Sequence, residues 1–259
     1  FLFCAPHLAR DLLAPEGAAG GRSPLRTVRG PSDSCFAHAI RRAISSRLRR
    51  CGRAVALAAL RADRGLLFRM TKAEIRKTLR AKRRDHVAAL AENMRALMFH
   101  RPPAPLLDLI PQDGTIGLYR AGPLEAPTAS YARFFFEQGR TIALPRFWAK
   151  DRAMDFAIHA DPFEESDCEP GPFGIPQPVR EAEAAEPSVL FVPLLGFTAE
   201  GARIGQGGGH YDRWLADHPE TTAIGLAWDG QRVDDLPTEA HDIPLAAVVT
   251  PTRIYGPFA

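Results

Sequence analysis

From residue 70 onward the hydrophobic positions switch repeatedly between a helical and an extended period. Ile75, Leu79, Val87, Leu90, Met94 and Leu97 recur at mostly helical spacing, and Thr71-Lys72-Ala73-Glu74 has the form of a capping box. This spacing predicts one helix from Thr71 to about Phe99. TIGLYRA (115–121) reads as a buried strand. APTASYARFFFEQG (126–139) reads as a helix, with Pro127 near its start and Gly139 at its end. TIALPRF (141–147) and AMDFAIH (153–159) predict two more strands, and SVLFVPLLGF (188–197) predicts a central one. GGHYDRWLADH (208–218) opens a further helix, TAIGLAWD (222–229) is a strand, and PLAAVVTPTRI (244–254) holds the last. Residues 161–186 are rich in Pro, Gly and acids, which predicts a long surface connection. The alternation predicts an α/β fold with three α-β-α layers and a largely parallel sheet. Ligands of such sheets bind beyond the C-terminal ends of the strands.

The average charge hides a split in the chain. The 259 residues carry a net charge of +3, yet residues 1–69 hold 13 Arg, no Lys and four acids, a net of +9, whereas residues 70–259 have a net of −6. The basic balance therefore does not mark the folded body as a nucleic-acid binder. No apolar run reaches the roughly 18 residues a membrane helix requires. Three of the four cysteines, Cys4, Cys35 and Cys51, fall in the first 69 residues, leaving Cys168 alone in the body. A lone cysteine gives no disulfide framework and fits a cytoplasmic protein.

Three readings compete for residues 1–69. An Arg-rich, acid-poor segment resembles an organelle transit peptide. It also resembles a nucleic-acid-binding arm. The stretch lacks Met before Met70, so the favoured expectation is a disordered extension or misassigned start ahead of one α/β domain at 70–259.

GARIGQGGGHYDR (201–213) carries the candidate chemistry. Four glycines, Gly205 and Gly207 to Gly209, let backbone amides approach an anion, and the helix predicted after them adds unpaired N–H groups. Arg203 supplies a cation and Asp212 a hard oxygen ligand suited to Mg2+. The loop is neither a Walker A sequence nor a dinucleotide fingerprint. Lys72 and Arg76, one turn apart, form part of a basic helical face that is either solvated or laid beside an anionic ligand.

Six motifs in order resemble the 5-formyltetrahydrofolate cyclo-ligase family. They are KAEIRKTLRAKRR (72–84), YRAGPLEAPT (119–128), ALPRF (143–147), FGIPQP (173–178), VPLLGFTAEGARIGQGGGHYDRWL (192–215) and LPTEAHDIPLAAVVTP (236–251). His210 stands where many members have Tyr, and Thr198 where an acid is common. The resemblance implies an enzyme that uses ATP and Mg2+ to cyclise 5-formyltetrahydrofolate. It implies that Lys72, Arg76 and Arg203 contact nucleotide phosphate, with Lys72 and Arg203 serving the reaction. Ile204, Gly205, Gln206, Gly207, Gly208, Gly209, His210 and Tyr211 would line the ATP, and Gln206 to His210 would also meet the folate. Asp212 would hold the metal, helped by Asp242, whose other reading is a turn acid. Glu125 would recognise the folate, its other reading being a helix cap. Tyr211 and Trp214 either pack beside the ligand or belong to the core. The expected partners are these small molecules, with no nucleic acid or membrane, for a cytoplasmic monomer. A sugar-phosphate isomerase or coenzyme A transferase on a related scaffold is the rival reading, separated by ATP dependence.

Overall fold

The computed structural model describes residues 70–258. The expectations for residues 1–69 lie outside the described residues. Helix α1 (Lys72–Ala88) starts at the predicted capping box: the Thr71 hydroxyl accepts from the Glu74 amide, and the Glu74 carboxylate accepts from the Thr71 amide at 2.8 Å. The helix does not run on to Phe99. It stops at Ala88, Ala91 is extended (φ −62°, ψ 142°), and α2 (Glu92–Met98) begins anew. The break lets Phe99 turn inward against Trp228, edge to face at 5.3 Å, and leaves Met94 and Leu97 exposed. Helix α3 (Ala104–Leu107) follows.

The remaining elements, in order, are β1 (Ile116–Gly117), α4 (Ala129–Glu137), β2 (Ile142–Phe147), β3 (Met154–Ile158), β4 (Cys168–Pro170), β5 (Pro176–Pro178), β6 (Val189–Pro193), β7 (Gly196–Phe197), β8 (Arg203–Ile204), α5 (His210–Asp217), β9 (Thr222–Leu226), β10 (Ala247–Val249) and β11 (Ile254–Tyr255). Seven strands form the main sheet in the order β11-β10-β9-β6-β1-β2-β3. Its five inner strands are parallel, and both edge strands, β3 and β11, run antiparallel to their neighbours.

Alternation along the inner strands builds the three layers. Val189 and Phe191 of β6, with Ile142 and Leu144 of β2 and Ile224 and Leu226 of β9, face a core completed by Tyr131, Ala132 and Phe135 of α4 and by Val87 of α1. Leu190 and Val192, with Ala143, Ala223 and Val248, face the opposite core, which Trp214 and Leu215 of α5 close. Side chains at adjacent strand positions point to opposite faces, so a one-residue slip of β6 would exchange both cores.

Two corrections concern the site. The predicted strand 188–197 divides: β6 ends at Pro193, and Gly196–Phe197 instead pairs with Arg203–Ile204 as a separate hairpin. Ile75 and Leu79 of α1 pack on this hairpin with Leu195 and Ile204, which fastens the helix beside the end of β6. Burying two such side chains fully is worth about 3–6 kcal/mol. The connection 161–186 is also not featureless. It contains the β4–β5 hairpin, with Gln177 bonded in both directions to the Phe147 backbone.

Candidate active site

The glycine loop joins β8 to α5, beside the C-terminal end of β6. Gly207 (φ +107°) and Gly209 (φ +63°) occupy the left-handed region, which side chains with a Cβ rarely enter. Gly209 is the N-cap of α5 and offers no side-chain cap, so the first-turn amides of that helix keep their capacity to bind an anion. Helix α1 holds the loop from outside. Arg76 Nε donates to the Gly205 carbonyl at 3.1 Å, and Arg80 donates to the Gln206 carbonyl at 2.9 Å and to its side-chain oxygen at 3.0 Å.

The loop is a wall shared by two cavities. One, of about 190 Å³, is lined by Lys72, Arg76, Arg203, residues 204–212, Glu239, His241 and Asp242. Every residue that the sequence suggested for ATP or metal therefore borders one space. The second, of about 300 Å³, is lined by Tyr119, Glu125, Phe147, Phe173, Ile175 and Gln177. Pro193, Gln206, Gly208, His210 and Tyr211 border both.

The first cavity is electrostatically tight. Lys72 Nζ lies 2.6 Å from Asp242 and 3.2 Å from Glu239. Burial alone would raise the Asp242 carboxyl, but the Lys72 and Glu239 hydrogen bonds and the Lys72 charge outweigh it, so its pKa falls below the ordinary value. Asp242 accepts from the Glu239 amide as well, so it is a turn acid and a site acid together. Arg203 is buried, and its guanidinium donates to Asp212 at 2.6 Å. The Asp212 oxygen used is Oδ1, which also accepts from the Ile243 amide at 3.4 Å. Asp212, Glu239 and Asp242 all border this cavity, and each offers carboxylate oxygens of the kind Mg2+ takes. Among the described residues, ligand atoms of Glu239, His241 and Asp242 lie within 4.8 Å of one another.

The second cavity is more apolar. Phe147, Phe173 and His210 meet edge to face, at 5.0 Å for Phe147 and Phe173, 5.2 Å for Phe147 and His210, and 5.9 Å for Phe173 and His210. His210 Nδ1 faces the Arg213 guanidinium at 3.2 Å. Arginine can only donate, so Nδ1 accepts and the ring is neutral with its proton on Nε2. Burial first, then the Arg213 charge, lowers the His210 pKa. Glu125 does not cap α4: it accepts from the Gly122 amide at 3.0 Å and faces Arg83 at 3.5 Å. Tyr211 borders the cavities, whereas Trp214 is a core residue packed on Phe156 at 4.9 Å.

The model of the 5-formyltetrahydrofolate cyclo-ligase family matches residues 69–251. The chain belongs to this family of ligases. A cyclo-ligase from Haemophilus influenzae is 29% identical over 174 residues, covering 62% of this chain and 92% of the relative. One from Escherichia coli K12 is 49% identical over 69 residues, which span 26% of this chain and only 38% of the relative. Among solved structures, the 5,10-methenyltetrahydrofolate synthetase of Aquifex aeolicus is 26% identical with a TM-score of 0.59, covering 73% of this chain and 93% of that one. Its counterpart from Mycoplasma pneumoniae, at 21% identity and a TM-score of 0.52, covers 69% and 98% and shares the fold. Among the described residues, no helix is long and apolar enough to cross a membrane.

Sequence reasoning missed three groups of residues at this candidate site. Glu239 and His241 precede Asp242 in the EAHD stretch but carried no signal beyond that neighbourhood. Phe173, Ile175 and Gln177 lay in FGIPQP, a motif noted as similar yet assigned to a surface connection. Arg83 was one of many cations on its helix, and only its burial, at 7% exposure, sets it apart.

Proposed function

We propose that this chain closes 5-formyltetrahydrofolate to 5,10-methenyltetrahydrofolate, consuming ATP with Mg2+ and releasing ADP and phosphate. The observation that carries the reading is the shared glycine wall. A cation-lined cavity and an aromatic cavity touch along residues 206–211, so a phosphoryl group on one side lies next to an acceptor on the other.

The chemical obstacle is that a formyl oxygen leaves poorly as hydroxide. The formyl oxygen attacks the terminal phosphorus of ATP, the bond to ADP breaks, and an iminium phosphate forms. The N10 amine then adds to the formyl carbon and loses its proton, and the C–O bond breaks to release phosphate. The protein contributes position and charge rather than a covalent partner. Lys72, Arg76 and Arg203 neutralise the phosphates, and the amides from Gly205 to Tyr211 cradle them. Asp212 and Asp242, with Glu239, hold Mg2+, which supplies further charge neutralisation when bound. Glu125 accepts from the pterin donors, and Phe147, Phe173 and His210 cover the ring.

The test is to incubate the purified chain with 5-formyltetrahydrofolate, ATP and Mg2+. Methenyl absorbance and ADP should rise in equal amounts and require all three additions. A folded protein that forms neither product overturns the proposal, and turnover without ATP would move the chain to the isomerase or transferase class.

A further inference from the structure

Arg83 poses a physical problem. It stands 11 residues after Lys72, just over three helical turns, so Lys72, Arg76 and Arg83 share one face of α1. Lys72 and Arg76 reach the cation-lined cavity, whereas Arg83 is 7% exposed under the segment that carries Glu125. Its Nη1 lies 3.5 Å from Glu125 Oε1, an ion pair without a hydrogen bond. Its Nε and Nη1 are buried with no hydrogen-bond partner among the described residues. Burying a guanidinium with unmet donors costs several kcal/mol that an apolar side chain would avoid. Nothing in the packing of α1 asks for a cation there, since Ile75, Leu79 and Val87 supply its apolar contacts. What does ask for one is Glu125.

We propose that Arg83 is the positioning residue for Glu125, holding that carboxylate aimed into the aromatic cavity so that it can accept from the folate. One Glu125 oxygen is fixed by the Gly122 amide and the other faces Arg83. Tyr119, Tyr211 and Arg120 also border this corner; burial raises both tyrosines, which keeps their hydroxyls protonated, and Arg120 pairs with Glu165. Among the described residues, Arg83 is the cation in ion-pair contact with Glu125. Without it, the second Glu125 oxygen would lose the charge that fixes its direction. The same rigid helix then sets the geometry of both halves of the site: its first two turns serve the nucleotide and its fourth serves the folate.

The inference rests on the proposed cyclo-ligase activity and is tested on the full chain with purified Arg83→Met, Arg83→Lys, Glu125→Gln and the Met/Gln double variant. Arg83→Met is expected to raise KM for 5-formyltetrahydrofolate at least tenfold while KM for ATP stays within about twofold. Arg83→Lys should recover part of that loss. The double variant should be no worse toward folate than Glu125→Gln alone, because Arg83 acts through Glu125. KM values for both substrates rising together, or effects that add in the double variant, would overturn the inference and leave Arg83 a structural residue. Should Arg83→Met fail to fold, Arg83→Lys decides through the same KM comparison. Wild-type protein without turnover would instead remove the cyclo-ligase reading itself, so the two failures are separable.

Discussion

Lys72 and Asp242 stand 170 positions apart in the chain, and the ammonium of one lies 2.6 Å from the carboxylate of the other. The pair borders the cation-lined cavity at the N-terminus of α1, where Glu239 adds a second carboxylate at 3.2 Å. A lysine so placed is oriented before any nucleotide arrives. Lys72→Met is expected to lower kcat/KM for ATP about a hundredfold, the scale of losing one charged donor at a transferring group. The same variant should weaken the protein toward acid. Lys72 is among the groups that hold Asp242 below its ordinary pKa of 3.8. A depressed carboxyl adds stability that is present above pH 3.8 and is lost as the pH falls through the folded-state value. Removing Lys72 should therefore move the acid-unfolding midpoint, followed by circular dichroism, to higher pH.

Arg203 and Asp212 form the most buried ion pair of that cavity, at 2.6 Å with 4% and 23% side-chain exposure. Arg203→Met should cost about 3 kcal/mol in urea unfolding, because it strands a partly buried carboxylate. Asp212→Asn keeps a side-chain oxygen to accept from Arg203 but removes the counter-charge of that buried guanidinium, so it should also lower stability, by a smaller amount. Its larger loss should fall on the metal. Isothermal titration is expected to show Mg2+-dependent ATP binding weakened tenfold or more, and unchanged binding would remove Asp212 from the metal set.

Much of this arrangement was legible in the sequence because its signals are local. The capping box at Thr71, the apolar run of β6 and the glycine run before α5 each depend on neighbours within a few positions. Lys72 and Arg76 could be placed on one face from helical period alone. The missed features depend on distant partners. No Gly or Pro marks the break at Ala89 to Ala91; it follows from Phe99 packing on Trp228. The β4–β5 hairpin is proline-rich and short, and its anchoring comes from Gln177 bonding to Phe147, 30 residues earlier. Leu194 and Leu195 continue the apolar run of β6, yet the chain leaves the sheet after Pro193 and pairs Gly196–Phe197 with Arg203–Ile204. Arg83 looks like its exposed neighbour Arg84 until burial separates them.

His210 can be followed directly. Its pKa lies below the ordinary 6.5, through burial and then the Arg213 charge. Ring-proton NMR should therefore show a neutral imidazole at pH 7, titrating below free histidine. Arg213→Ala should move the value upward yet leave it below 6.5, since burial is the larger cause. His210→Tyr keeps an aromatic edge against Phe147 and should retain turnover, whereas His210→Ala should raise KM for the folate. A pKa at or above 6.5 in the wild type would contradict the donor assignment from Arg213 to Nδ1.

Phe173 and Ile175 are 43% and 44% exposed, so in the free protein they contribute little to the core. Both nevertheless line the aromatic cavity from the β4–β5 hairpin, and Phe173 meets Phe147 edge to face at 5.0 Å. A ring left half in water gains its burial when a flat ligand slides beneath it. Covering the exposed part of a phenylalanine is worth about 1–1.5 kcal/mol, close to a tenfold change in affinity. Phe173→Ala is therefore expected to raise KM for 5-formyltetrahydrofolate five- to tenfold, with KM for ATP unchanged. Its thermal midpoint should move by no more than about 2 °C, because the loss falls on the bound state. A drop in stability without a change in KM would mean that the hairpin braces the sheet edge and does not cover the ligand.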